Sequence, residues 1–139
     1  MVHLVWGTKD REPVLTDKKR KILFEHIRAN AKEKKIYIDT LGGYTDHVHC
    51  LLSLGGDQTI SKVAQLIKGE SSFWANQENL ILPKLIWAED YFAASVSESA
   101  VQKVRDYINN QEEHHKKITF AEEYEKFLKG YGFDSAKAR

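Results

Sequence analysis

The stretch IYIDTLGGYTDHVHCLLSL, residues 36–54, constrains the fold more than any other part of the chain. It holds two runs rich in β-formers, Ile36 to Leu41 and His47 to Leu54. The connection between them contains Gly42, Gly43 and Asp46, and the pattern predicts a β-hairpin. A segment of helical period lies on either side. Upstream, Thr16 can cap DKKRKILFEHIRANAKEKK, in which Ile22, Leu23, His26 and Ile27 recur at helical spacing. Downstream, Ile60, Val63, Ala64 and Ile67 share one face of a second helix. VHLVWGT (2–8) supplies a strand before the first helix, and LIWAEDYFAASVS (85–97) another strand or bent strand pair after the second. Ser97 or Ser99 can then cap a third helix through AVQKVRDYINNQEEHH. The order β-α-β-β-α-β-α predicts an α+β, ferredoxin-like (RRM-like) fold, an antiparallel sheet with two helices on one face. The other face is left for a ligand, a third helix or a partner.

At 139 residues, with 42% hydrophobic and 29% charged residues and no repeat, the chain suits one domain. We place that domain at 1–116 and treat 117–139 as a tail with one short amphipathic helix. The single cysteine, Cys50, lies in an apolar run, which excludes a disulfide framework and fits a small buried side chain in a reducing compartment. Neither a leader pattern nor an apolar run of membrane-spanning length is present, so the expectation is a cytoplasmic protein with no membrane partner. The absence of a Walker-type loop, a dinucleotide glycine signature and paired cysteines argues against a nucleotide cofactor and a zinc finger. Net charge is only +1, but residues 1–40 carry ten Lys or Arg against six Asp or Glu. The surplus is local, in DKKRK (17–21) and KEKK (32–35), a pattern that also describes a solvated helix face.

Alternate side chains of a strand share a face, so His47 and His49 project together, away from Val48, Cys50 and Leu52 on the core side. About 7 Å apart at Cα, two imidazoles can converge on one metal ion, though ordinary sheet surface shows the same spacing. Asp46 can orient an imidazole or simply form the turn. On the third helix, Val101, Val104 and Ile108 make an apolar stripe, with Tyr107 and Gln111, four apart, along its edge. A metal held by the histidine pair, with an amide oxygen completing the site, could polarise a phosphate while Tyr107 attacks it.

DHVHCLL, followed by ISKVAQLIKGESS, then W(x)3YF(x)2SV (87–96), then VRDYINNQ, resembles the small single-tyrosine transposases of the HUH superfamily, the IS200-like family that moves bacterial insertion sequences as single-stranded DNA. HLVWGTKDREPVL (3–15) is similar to the family's first strand and the stretch after it. The resemblance covers roughly residues 2 to 115 in the right order. It implies a ferredoxin-like domain that works as a homodimer and recognises DNA hairpins near element ends. It implies His47, His49 and Gln111 as ligands of a divalent metal, Mg²⁺ or Mn²⁺, and Tyr107 as the nucleophile. Attack would leave a 5′-phosphotyrosine and a free 3′-hydroxyl that later reverses the step. The sequence names no base for the tyrosine proton, whose ordinary pKa is about 10.

Candidate DNA contacts are Lys18, Lys19, Arg20, Lys32 and Lys35 from the basic segments, and Lys68, Ser71 and Ser72 from QLIKGESSFWAN. His114 and His115 can add polar contacts near Tyr107, or simply meet the helix C-terminal dipole. Three other readings stay open on residues alone. They are a related nuclease that processes repeats without moving its own element, a non-catalytic nucleic-acid-binding module, and a metallohydrolase. The last lacks an evident water-activating carboxylate.

Overall fold

The computed structural model describes residues 1–129. Four antiparallel strands, β1 (Val2–Gly7), β2 (Tyr37–Tyr44), β3 (His47–Ser53) and β4 (Phe92–Ser95), form one sheet in the order β2-β3-β1-β4. With α1 (Asp17–Glu33) between β1 and β2, and α2 (Ile60–Gln77) between β3 and β4, this is the ferredoxin-like arrangement. Three shorter helices come after β4: α3 (Val101–Asn109), α4 (Gln111–His114) and α5 (Phe120–Leu128).

Strand alternation divides the core in two. Leu4, Trp6, Val48, Cys50 and Leu52 face α1 and α2, meeting Leu23, Ile27 and Ala31 from one helix and Val63, Ala64 and Ile67 from the other. Burial pushes the Cys50 thiol up to about 12, so it acts as a small apolar side chain. On the opposite face, Leu51 packs with Val96, Val104 and Ile108, and Val5, Phe92 and Ala94 pack with Phe120 and Phe127 of α5. The face that carries His47 and His49 is therefore covered, not open: α3 and α5 lie over it, and both histidines are 0% exposed.

The hairpin is longer than the sequence predicts. β2 runs through Gly42 and Gly43 to Tyr44, and the turn is Thr45–Asp46. Gly42 serves close packing here: a Cβ on it would lie 2.6 Å from the Ile108 carbonyl oxygen, so its missing side chain lets α3 rest on β2. Thr16 does stand at the N-cap of α1, without a side-chain cap bond, whereas Thr59 caps α2 by accepting from Lys62 N. The expected continuous third helix is broken at Asn110, whose φ of −106° and ψ of 22° leave the helical region. The region around 87 pairs with Thr8 through Trp87, apart from β4. Helix α5 is closed by a capping box between Thr119 and Glu122. Residues 130–139 of the expected tail lie outside the described residues. Among the described residues no helix is long and apolar enough to cross a membrane.

Candidate metal and tyrosine site

The site is built where β1 and β3 pair beneath the ends of α3 and α5. Gly7 pairs with His47 and Val5 with His49. His3, diagonal to His49 on the same face, brings its Nε2 2.9 Å from His49 Nδ1 and stacks on that ring at 5.1 Å. His47 turns Nδ1 toward Asp46 Oδ1 at 2.9 Å, so the turn residue does orient the imidazole. The other nitrogen, Nε2, lies 2.8 Å from Gln111 Oε1. Gln111 is the first residue of α4, yet the break at Asn110 keeps it beside Tyr107: its amide nitrogen donates to the Tyr107 carbonyl at 3.3 Å.

The structure thus brings Tyr107, His47, His49 and Gln111 together, and adds a residue the sequence reasoning missed. Glu123 of α5 reaches into the middle of the group and is 2% exposed. Its Oε1 lies 3.1 Å from His49 Nε2, 3.3 Å from His47 Nε2 and 3.3 Å from His115 Nε2. Its Oε2 accepts from the Tyr107 hydroxyl in a short hydrogen bond and lies 3.1 Å from His114 Nε2. Potential ligand atoms of His47, His49 and Glu123 all lie within 4.8 Å of one another, as do those of His114, His115 and Glu123. The capping box signals that 120–128 is a helix, but no local pattern could place Glu123 against a histidine pair 74 residues away.

The charges in this group answer one another. Burial alone would raise the Glu123 carboxyl, but His49, His115 and His47 outweigh it and hold the group well below the usual carboxylate range. Burial, then the Glu123 charge, pushes the Tyr107 phenol well above its ordinary value, so the tyrosine rests protonated. Burial keeps His3 and His49 neutral in spite of Glu123. For His47 the burial penalty is exceeded by Asp46 and Glu123, and its pKa rises. His114 is lowered by burial.

Tyr107 is only half-buried, and on its outer side opens a cleft of about 440 Å³ lined by Lys103, Asp106, Asn110, Glu113, His114 and Lys117. Lys103, one turn before Tyr107, and Lys117 are cations at the mouth of the site that the sequence reasoning passed over. The DNA-contact candidates fall elsewhere. Lys18, Lys19, Lys32 and Lys35 belong to α1 or its end, on the far layer from the histidines. Arg20 is buried, donating to Leu15 O and pairing with Asp17 and Glu112. Lys68 donates to the carbonyls of Ala88, Glu89 and Asp90. Ser71 is buried and accepts from Trp87 Nε1, and Ser72 donates to Gly69 O. Arg20, Lys68 and Ser71 thus hold the fold together through their polar atoms, while Lys18, Lys32 and Lys35 remain exposed.

A family model described as "Transposase IS200 like" matches residues 1–111. The chain is 29% identical over 117 residues to the ISDra2 transposase TnpA of Deinococcus radiodurans, spanning 78% of this chain and 81% of that protein. A crystal structure described as a transposase from Deinococcus radiodurans R1 superposes with a TM-score of 0.60 at 27% identity, covering 79% of this chain and 88% of that one. The structure of a REP-associated tyrosine transposase bound to a REP hairpin gives a TM-score of 0.64 at 18% identity, covering 84% and 68%, a likeness of fold. The family match ends at Gln111, so His114, His115 and Glu123 lie beyond it.

Proposed function

Because the chain belongs to the IS200-like transposase family, we propose that it cuts and rejoins single-stranded DNA by transesterification at Tyr107, with His47, His49 and Gln111 holding a divalent cation. The observation that carries this reading is the convergence of those four side chains, with Tyr107 also lining a cleft that includes Lys103 and Lys117. The donor set fits such an ion: His47 Nε2 and Gln111 Oε1 are 2.8 Å apart, and Asp46 and His3 each engage the rear nitrogen of an imidazole. Bound there, Mg²⁺ or Mn²⁺ would polarise the scissile phosphate and offset charge on the leaving oxygen.

The chain's own residues do the rest. Lys103 and Lys117 draw the backbone phosphate to the cleft beside Tyr107. The Tyr107 O–H bond breaks, its proton passing to Glu123 Oε2 or His114 Nε2, the two acceptors at the hydroxyl. Its oxygen bonds phosphorus as the bond from phosphorus to the 3′-oxygen breaks, and the proton taken from Tyr107 is handed on to that oxygen, which leaves as a hydroxyl. The product is a 5′-phosphotyrosine and a 3′-hydroxyl. Attack by a 3′-hydroxyl on the same phosphorus returns the proton to Tyr107 and rejoins the strand, so no water is consumed. Glu123 has a double effect, since the carboxylate that can take the proton also keeps the phenol protonated until substrate binds.

The substrate is read as single-stranded DNA with hairpins at element ends, and the working form as a homodimer. The hairpin in the complex of the structurally similar REP-associated protein favours such a substrate. The domain is taken as residues 1–116, with the tail after it. Oligonucleotides covering both flanks of the gene, incubated with the protein and Mg²⁺ or Mn²⁺, test the reading on a denaturing gel. A metal-dependent covalent adduct that disappears in Tyr107→Phe and His49→Ala is expected. Cleavage without an adduct would instead indicate attack by water.

A further inference from the structure

The proposed cation site has three neutral protein donors: two imidazoles and an amide oxygen. Hard divalent ions prefer anionic oxygen, so a carboxylate belongs in such a set. Glu123 is placed to supply it. Bonds of about 2.0–2.2 Å to a cation put neighbouring donors about 3 Å apart. Glu123 Oε1 stands 3.1 Å from His49 Nε2 and 3.3 Å from His47 Nε2, while Gln111 Oε1 stands 2.8 Å from His47 Nε2.

The placement of the oxygen atoms around His47 points the same way. His47 faces oxygen acceptors at both ends of its ring, Asp46 at Nδ1 and Gln111 and Glu123 at Nε2. A cation lying among the three atoms on the Nε2 side would be bound by all of them at once. The Glu123 carboxylate is itself 2% exposed, and its oxygens lie within 3.3 Å of the imidazoles of His47, His49, His114 and His115. A buried carboxylate needs a compensating charge. Phe120 and Phe127, both buried, fix α5 against the sheet on either side of Glu123, so the carboxylate is held in place before any ion arrives.

We infer that Glu123, on a helix beyond the family-matched region, is a further protein ligand of the divalent cation, completing the set begun by His47, His49 and Gln111 with its Oε1. This rests on the reading of the histidine pair as a cation site. It leaves Oε2 facing Tyr107, so one side chain joins the ion to the nucleophile.

Mn²⁺ alone is the probe. Isothermal titration of Mn²⁺ into the full chain, and the rise it causes in the thermal unfolding midpoint, are measured for wild type, His49→Ala, Glu123→Gln and Glu123→Asp. Glu123→Gln keeps size and one acceptor oxygen but removes the negative charge, and its midpoint without metal checks that it folds. Glu123→Asp keeps the charge if the amide is not tolerated. Affinity is expected to fall at least tenfold in His49→Ala and in Glu123→Gln, with the metal-induced rise lost in both. Glu123→Asp should bind more tightly than Glu123→Gln. A Glu123→Gln protein that binds Mn²⁺ within twofold of wild type overturns the inference, as does a wild type that binds no Mn²⁺. If that tight binding comes with more DNA adduct, Glu123 occupies the place of the phosphate instead. Because no DNA enters the titration, absence of an adduct with Mn²⁺ binding lost as expected would sink the transesterification reading and leave Glu123 as a ligand.

Discussion

Truncation of Phe127 to alanine should loosen α5 from the sheet, and its size can be worked from the packing. Phe127 is 2% exposed, stacks on Phe92 with ring centroids 5.0 Å apart, and meets the edges of His3, His49 and Tyr107 at 5.6, 6.0 and 6.2 Å. Removing a buried phenyl ring of this kind costs about 3–5 kcal/mol. Helix α5 has nine residues, too short to persist in water by itself, so its order depends on this docking. Two regimes are distinguishable. If α5 unfolds only with the whole domain, global stability falls by about that amount. If α5 opens locally, its amides exchange about a hundredfold faster or more, from 1.4 kcal/mol per tenfold, while the sheet amides are unaffected. Hydrogen exchange read by mass spectrometry, alongside urea unfolding, separates the two. Leu128, the neighbouring residue and 49% exposed, is the control, and its truncation should change neither readout by more than about 0.5 kcal/mol. Equal behaviour of Phe127→Ala and Leu128→Ala in both measurements would refute the docking of α5 on the histidine face.

Gly42→Ala should cost about 1–3 kcal/mol and weaken adduct formation by displacing α3, because the new Cβ meets Ile108 at 2.6 Å. Gly56→Ala, with nothing within 4 Å, should be silent in the same unfolding and adduct assays. Arg105 of α3 holds Asp39 of β2 by paired hydrogen bonds of 2.8 Å, which depress the Asp39 carboxyl below the usual range. A depressed folded pKa gives stability that is present above the unfolded value of about 3.9 and lost as pH falls through the folded one. Asp39→Asn should therefore lower the urea midpoint at neutral pH, and the gap to wild type should close as pH drops below about 4. Tyr107 sits at the histidines of its own chain, so mixing Tyr107→Phe with His49→Ala should restore no adduct. Recovery of adduct in the mixture would show a tyrosine working across subunits. Lys103→Glu with Lys117→Glu should weaken binding of single-stranded DNA and flatten its salt dependence, measured by fluorescence anisotropy at several salt concentrations.

Much of the fold is legible in the sequence because hydrophobic period and turn chemistry agree along it. The alternation in His47–Leu52 sorts Val48, Cys50 and Leu52 to the core, and the helical stripes of α1 and α2 cover that side. Tyr107 and Gln111 come together as their spacing suggests, although the helix that should carry both breaks at Asn110. Gly42 misled the strand boundary because a glycine chosen for close approach to Ile108 looks the same in sequence as one chosen for a turn. Arg20 and Lys68 read as candidate DNA contacts because composition cannot show that their nitrogens donate to backbone carbonyls. The larger omission, Glu123, has the same cause on a longer scale. Its role depends on where α5 lands on the sheet, which Phe120 and Phe127 determine through contacts remote in sequence, and no periodicity encodes the landing site.

The central claim is that Tyr107 becomes covalently bonded to DNA through a 5′-phosphate. Mass spectrometry of the trapped adduct tests it most directly, after nuclease trimming and trypsin release of the peptide from Asp106 to Lys116. The expected result is nucleotide mass on Tyr107, attached through the 5′-phosphate of the downstream fragment, with a free 3′-hydroxyl on the upstream one. A nucleotide on any other residue, a link through a 3′-phosphate, or cleaved DNA with no modified peptide would contradict it.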